Sequence, residues 1–156
     1  KRRKARASRD SDMVIEESII IGADLDRVWE TLTDLTCWKD WNTVAREVAS
    51  ETERLAQGKR FRFCLRPFVF PVTVEPMIEE VLPGVRIVWS GCKFGIFARH
   101  EFIFAKSEGG VRVTSRETFR GLPVAVAPFA FPKARLRELT IAMLEDLKKA
   151  AESSYS

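Results

Sequence analysis

The chain has 156 residues, 46% hydrophobic and 31% charged, which is enough apolar material for one domain with its own core and excludes a disordered or collagen-like polymer. Its formal charge of +4 sits entirely in residues 1–12, where six basic residues outnumber two acidic ones, while the remainder carries 20 of each. A neutral domain without a basic stripe is excluded as a nucleic-acid binder in its own right.

In chain order, KRRKARASRDSD (1–12) lacks apolar anchors and is expected to be a disordered basic tail, either simply solvated or an import or anionic-surface signal. Residues 13–156 are expected to form a single domain. The charged start is unlike a signal peptide, and the absence of an initial Met leaves room for sequence upstream. MVIEESIII (13–21) predicts a first strand. Asp24 then offers a helix N-cap, with Leu25, Val28 and Leu32 at helical spacing and an end near Asp34. Trp38 and Trp41, three apart, suit one face of a second short helix as a hydrophobic plug.

A meander of antiparallel strands follows, of which 44–53 is the weakest. Lys59 to Arg66 puts Phe61, Phe63 and Leu65 on one face and Arg60, Arg62, Cys64 and Arg66 on the other, so the sheet has a wet side. Val72 to Leu82 and Val85 to Gly91 flank the turn Pro83-Gly84, with Val85, Ile87 and Trp89 expected on one face. A two-residue turn there would turn Glu80 inward unless a bulge corrects the register.

Phe97 to Lys106 and Val111 to Arg120 flank Ser107-Glu108-Gly109-Gly110. With Glu108-Gly109 as the turn, Phe104 faces Val113, Phe102 faces Ser115 and His100 faces Glu117; with Gly109-Gly110 the partners move by one pair but the faces stay the same. His100, Phe102, Phe104, Val113, Ser115, Glu117 and Phe119 then share one face. Arg99, Glu101, Arg112, Arg116 and Arg120 share the other, which must be solvent. The sole His and an ionisable Glu therefore fall on the apolar face. Such a pair either satisfies itself structurally, the reading that spacing alone favours, or supplies an acid and base or a polar anchor in a pocket. Ser115 does not complete a nucleophile triad.

LPVAVAPFAFP (122–132) reads as a buried connection or a flexible mouth over a pocket. Its apolar run is too short to span a bilayer and is broken by Pro123 and Pro128. Lys133 to Glu152 is the one long helix-periodic segment, with Leu136, Leu139, Met143, Leu147 and Ala150 along a stripe flanked by Leu144 and Ala151. Cys37, Cys64 and Cys92 form no C-x-x-C pair and are expected to be reduced and mostly buried in a cytoplasmic protein. One His and no ligand spacing predict no metal site, and the lack of a Gly-rich phosphate loop or dinucleotide fingerprint predicts no cofactor.

The order is strand, two short helices, six strands, long C-terminal helix. Together with IIIGADLDRVWETLTDLTCWKDWN, RIVWSG, HEFIF…GGVRVTSRETFRG and MLEDLKKAAE, it resembles the SRPBCC (START / birch pollen allergen-like) superfamily, especially its polyketide cyclase/dehydrase-like members, over about 13–152. The resemblance implies an α+β helix-grip fold: a curved antiparallel sheet of about seven strands around the C-terminal helix, with a cavity between them. It implies a pocket lined by Phe61, Phe63, Trp89, His100, Phe102, Phe104, Glu117 and Phe119, with Ser115 on the same face, closed by Leu136, Leu139 and Met143. The expected function is binding or transport of a small apolar, lipid- or polyketide-like ligand. The alternatives are a cyclase/dehydratase-like enzyme with His100 and Glu117 as acid and base, or a protein-interaction module using Leu122 to Phe131. Catalytic residues differ among branches of the superfamily, and no set here matches one branch.

Overall fold

The computed structural model describes residues 12–153; the expected basic tail therefore lies, apart from Asp12, outside the described residues. Eight strands and four α-helices follow the order β1 (Met13–Ile21), α1 (Leu25–Thr33), α2 (Trp38–Trp41), β2 (Arg46–Ser50), β3 (Phe61–Leu65), β4 (Val72–Val74), β5 (Met77–Leu82), β6 (Arg86–Lys93), β7 (Ile96–Ser107), β8 (Gly110–Arg120), α3 (Leu122–Val126) and α4 (Lys133–Glu152). Short 3-10 turns at Leu35–Cys37 and Pro128–Ala130 lead into α2 and α4. The five-stranded sheet runs β1-β8-β7-β6-β5, and a three-stranded sheet runs β2-β3-β4. A bridge between Arg60 and Met77 and the bond from Ile78 N–H to Lys59 C=O (2.8 Å) join the two.

The run 72–82 is two strands because Pro76, which has no N–H to donate, interrupts the ladder between β4 and β5. Beyond it the register shifts between Ile78 and Glu80. This bulge makes Ile78 face Trp89 while Glu80 faces Val88, so Glu80 turns outward and takes the Arg86 guanidinium at 2.8 and 3.1 Å. Val85, expected beside Ile87 and Trp89, instead lies in the turn and is half exposed, its N–H bonded to Leu82 C=O.

The hairpin β7–β8 takes the register that its turn predicts, with Ser107 opposite Gly110, Phe102 opposite Ser115 and His100 opposite Glu117. Gly110 is obligatory: at φ 140° a Cβ there would stand 1.9 Å from the Ile21 carbonyl oxygen. Successive cross-strand pairs carry one row over five strands, Ile78–Trp89–His100–Glu117–Ile15, all on the face toward α4. On the opposite face Arg86, Arg99, Glu79, Glu80 and Glu101 form a ladder of ion pairs.

Helix α1 starts where Asp24 accepts the Arg27 N–H at 2.8 Å. The Trp38 plug is fully buried, donating Nε1–H to Leu32 C=O at 2.8 Å with its ring edge against Trp41 and Phe61. The cysteine expectation is corrected: Cys37 and Cys92 are exposed and Cys64 half-buried. Cys37 sits in a solvent-facing turn, where its thiol and Thr36 converge on the Asp34 carboxylate, and a strand-end position exposes Cys92.

Helix α4 is held at its C-terminal end. The Arg27 guanidinium donates to the carbonyls of Ala151 (3.1 Å), Ala150 (3.2 Å) and Ser153 (3.3 Å), filling acceptors that the helix leaves open at its negative end. Glu152 accepts from the Gly22 N–H (2.7 Å) and from Lys148 (2.5 Å). Leu144, Leu147 and Ala151 pack beside these anchors. Arg27→Ala should therefore lower stability by about 2 kcal/mol, the worth of charge-assisted hydrogen bonds lost at a helix end. Urea unfolding with an unchanged m-value measures it.

Candidate functional site: a cavity with one polar belt

The buried core divides into two clusters. The larger holds Phe102, Phe104, Trp89, Val111, Val113, Met143, Leu144 and Leu147; the smaller holds Ile15, Phe119, Val124 and Leu136, with Ile96, Ala98 and Leu139 against them. Four elements run through both, and on β1 the change comes at Glu17, opposite Ser115. On β7 the change comes at His100, on β8 at Ser115 and Glu117, and on α4 at Thr140. Polar side chains thus mark the same level on every wall.

A cavity of about 600 Å³ opens between the five-stranded sheet, the small sheet and the N-terminal half of α4. Of the twelve expected lining residues, Phe63, Trp89, His100, Glu117, Phe119, Leu136, Leu139 and Met143 line it. Phe61, Phe102, Phe104 and Ser115 lie behind it in the packed core, because the larger cluster closes over them. Reading the face of a strand identifies which side chains point inward but not how deep the packing reaches. Residues outside the expected set also line the cavity: Trp38 at the plug, Thr140 on α4, Val72 and Val74 on β4, and Phe68, Phe94 and Phe131 at the mouth. For Thr140 a signal existed, since it lies four residues after Leu136 and three before Met143 on the same helix face. Arg62, placed on the wet side of β3, reaches the cavity's edge.

His100 and Glu117 are its inner ionisable groups, their side chains 14% and 19% exposed. His100 Nε2 lies 2.7 Å from Ser115 Oγ. Its ring stacks on Phe102 (4.3 Å between centroids, planes at 26°) and meets Trp89 at 66°. The imidazole is thereby fixed in plane and rotation. Nδ1 is left 3.8 Å from Glu117 Oε2, too far for a direct hydrogen bond. Ser115 is fully buried and does not line the cavity. It orients the ring and cannot reach a molecule in the cavity as a nucleophile.

Burial drives both groups toward their neutral forms. It lowers His100 to about 3 and raises Glu117 to about 7, because neither charged form recovers its lost hydration. Attraction across 3.8 Å would act the other way on each. Desolvation prevails here, since among the described residues no other ionic partner pairs with either side chain in this apolar wall. Below neutrality the site therefore presents a neutral imidazole and a carboxylic acid.

The mouth of the cavity is formed by three segments. Residues 66–71 carry Phe68 stacked on Phe70 at 5.0 Å. At the β6–β7 turn Lys93 faces Ile96, and Phe94 and Gly95 have φ of 54° and 75°. A left-handed Phe costs about 1 kcal/mol relative to Gly at such a position. The third segment is α3 with the turn that follows it, where Phe131 packs on Phe119 at 4.9 Å. The apolar stretch 122–132 is therefore neither wholly buried nor wholly exposed: Val124 is buried, whereas Leu122, Val126 and Phe129 face solvent.

A protein family described as "Polyketide cyclase / dehydrase and lipid transport" matches residues 13–152. The chain belongs to this family. No curated protein matches it. Among solved structures it is similar to the Zhui aromatase/cyclase from Streptomyces sp. R1128, with 15% identity over 90% of this chain and 94% of that one, at a TM-score of 0.72. It is similar to the di-domain ARO/CYC BexL from the BE-7585A biosynthetic pathway (18% identity, 92% of this chain and 51% of that one, TM-score 0.74). A hypothetical protein from Helicobacter pylori is likewise similar (21% identity, 94% and 92%, TM-score 0.75). At these identities the likeness establishes the shared helix-grip fold.

The protonation states can be checked through stability. Glu117 binds its proton more tightly folded (about 7) than unfolded (4.5), so its contribution is full below pH 4.5 and is lost as pH rises toward 7. His100 works oppositely: its contribution is full above 6.5 and is lost as pH falls toward 3. Glu117→Gln should gain on the native chain as pH rises from 4.5 to 7, by on the order of 2 kcal/mol, and hold a constant advantage above. Urea midpoints across that range read it. A difference that does not vary with pH would mean that Glu117 titrates in the folded chain as it does in the unfolded one.

Proposed function

We propose that this protein binds a small, mainly apolar molecule in the cavity and orients it through Glu117 and His100. The observation that carries this reading is a cavity of about 600 Å³ with apolar clusters at either end and a single polar belt between them. That size suits a ring system or short lipid-like chain. Burial of apolar surface supplies affinity at roughly 25 cal/mol per Å². Glu117 in its acid form donates a hydrogen bond to a carbonyl or hydroxyl oxygen, and His100 Nδ1 is close enough to share that oxygen. The family's description, which includes lipid transport, supports this class of ligand.

N-phenyl-1-naphthylamine, whose fluorescence rises in apolar sites, is a suitable probe. Leu139→Trp, which fills the cavity from α4, should weaken probe binding at least about tenfold with the fold intact by circular dichroism. Equal binding by native and Leu139→Trp protein would place the probe elsewhere and sink the reading. Native mass spectrometry of freshly purified protein would name a natural occupant.

A second reading is favoured by one specific feature: a carboxylic acid beside a neutral imidazole whose ring is fixed by Ser115. This is a general acid and a general base within reach of one carbonyl compound, the requirement for aldol-type ring closure and loss of water. The aromatase/cyclase neighbours support it at the level of the fold. If the protein turns over a polyketone, His100→Ala and Glu117→Ala should each cut kcat by about a hundredfold or more, while probe binding falls far less. Unchanged kcat in both variants would remove acid–base catalysis by this pair.

A further inference from the structure

The three segments around the mouth share a property that the interior does not explain. Their tips are apolar and face outward: Val69 is 94% exposed, Phe129 89%, Leu122 77%, Val126 75% and Phe94 71%, with Phe70 beside them. They belong to one rim. Phe68, Phe94 and Phe131 line the same cavity. Pro123 stands against Gly95, and Arg135 Nε donates to Arg66 C=O at 3.3 Å across the opening. Soluble domains rarely leave this many large apolar side chains together in water.

Charge distinguishes what would cover them. Residues 66–74, 91–100 and 120–137 contain no Asp or Glu, in a domain whose charges balance only as a whole. Arg66, Lys93, Lys133 and Arg135 stand at the shoulders of the tips. Arg66 and Lys93 hold the carbonyls of Val69 and Thr73, and Arg135 also meets Glu138 on α4. A protein partner would be expected to engage hydrogen-bonding groups in proportion to the area covered, and the tips of this rim offer almost none. Hydrocarbon at the tips and phosphate at the shoulders match both halves of the pattern.

We propose that this rim docks the protein on an anionic lipid surface, with Val69, Phe70, Phe94, Val126 and Phe129 inserted among the acyl chains and Arg66, Lys93, Lys133 and Arg135 at the headgroups. The inference rests on the surface alone, not on what occupies the cavity. Docked this way, the mouth opens into the lipid, and an apolar molecule would exchange without crossing water.

The test is flotation of the full chain with vesicles of phosphatidylcholine alone or mixed with phosphatidylglycerol. The expected result is association with the mixed vesicles, weakened by salt, and a vesicle-bound fraction roughly tenfold lower for V126D/F129D. Neither residue lines the cavity, so that variant should bind N-phenyl-1-naphthylamine like the native chain, which separates this proposal from the previous one. No association at low ionic strength overturns it. Association that V126D/F129D leaves unchanged also overturns it, since the basic residues 1–12 would then account for binding. So does a dimer that the variant dissolves, because a second copy would then be the occupant.

Discussion

Ser107 lies opposite Gly110, and every partnership between β7 and β8 follows from that register. Side chains alternate along a strand, so a slip of one residue would exchange the two faces of the hairpin. Arg99, Glu101, Arg112 and Arg116 would then point at α4, and each buried charge would cost several kcal/mol. The close passage of the Gly110 backbone against Ile21 ties the same turn to β1. The row Ile78–Trp89–His100–Glu117–Ile15 is the consequence across the whole sheet. Had the bulge after Ile78 been absent, Glu80 rather than Val81 would have faced inward at the sheet's far edge.

Helix α4 divides its work along its length. Arg27, Glu152 and Lys148 pin the C-terminal end, and Leu144 and Leu147 close a dry core there. The N-terminal half begins after Pro132 with no side-chain cap and stands over the cavity. Its anchored end lets the helix hold this position without filling the space beneath Leu139 and Thr140. A packed interior would gain dispersion contacts that this one forgoes, so the cavity is a cost that the rest of the fold offsets.

The polar belt is a second cost of the same kind. Burial holds His100 and Glu117 away from their ordinary titration ranges, and each shift is free energy withheld from the folded state at some pH. Ser115 relieves part of it by occupying one imidazole nitrogen, leaving the Glu117 carboxyl and His100 Nδ1 without a direct hydrogen bond to each other at the cavity wall. Groups kept neutral in an apolar wall are suited to orienting a carbonyl or passing it a proton. At the mouth a left-handed Phe94 and exposed Phe129 are unfavourable in water for different reasons, one backbone and one hydration.

Local pattern alone determined much of this protein. The span of α4, the Asp24 cap, the Trp38 plug, the faces of the β7–β8 hairpin and the placing of His100 and Glu117 on the inner one were all legible, because each depends on periodicity or turn chemistry within a few residues; which of two turns set the register was decided by the structure. The helix-grip arrangement was legible through resemblance. Only the tertiary structure decided how far the packing reached. It put Phe61, Phe102, Phe104 and Ser115 behind the cavity and Phe68, Phe94, Phe131 and Thr140 on it, since depth depends on how distant segments fill space together. It broke 72–82 at Pro76, resolved Glu80 outward through a bulge, and exposed Cys37 and Cys92, none of which strand alternation or average burial of cysteine encodes. The rim is of this kind too: three apolar loops far apart in sequence become one surface only when the sheets and α4 bring them to the same opening.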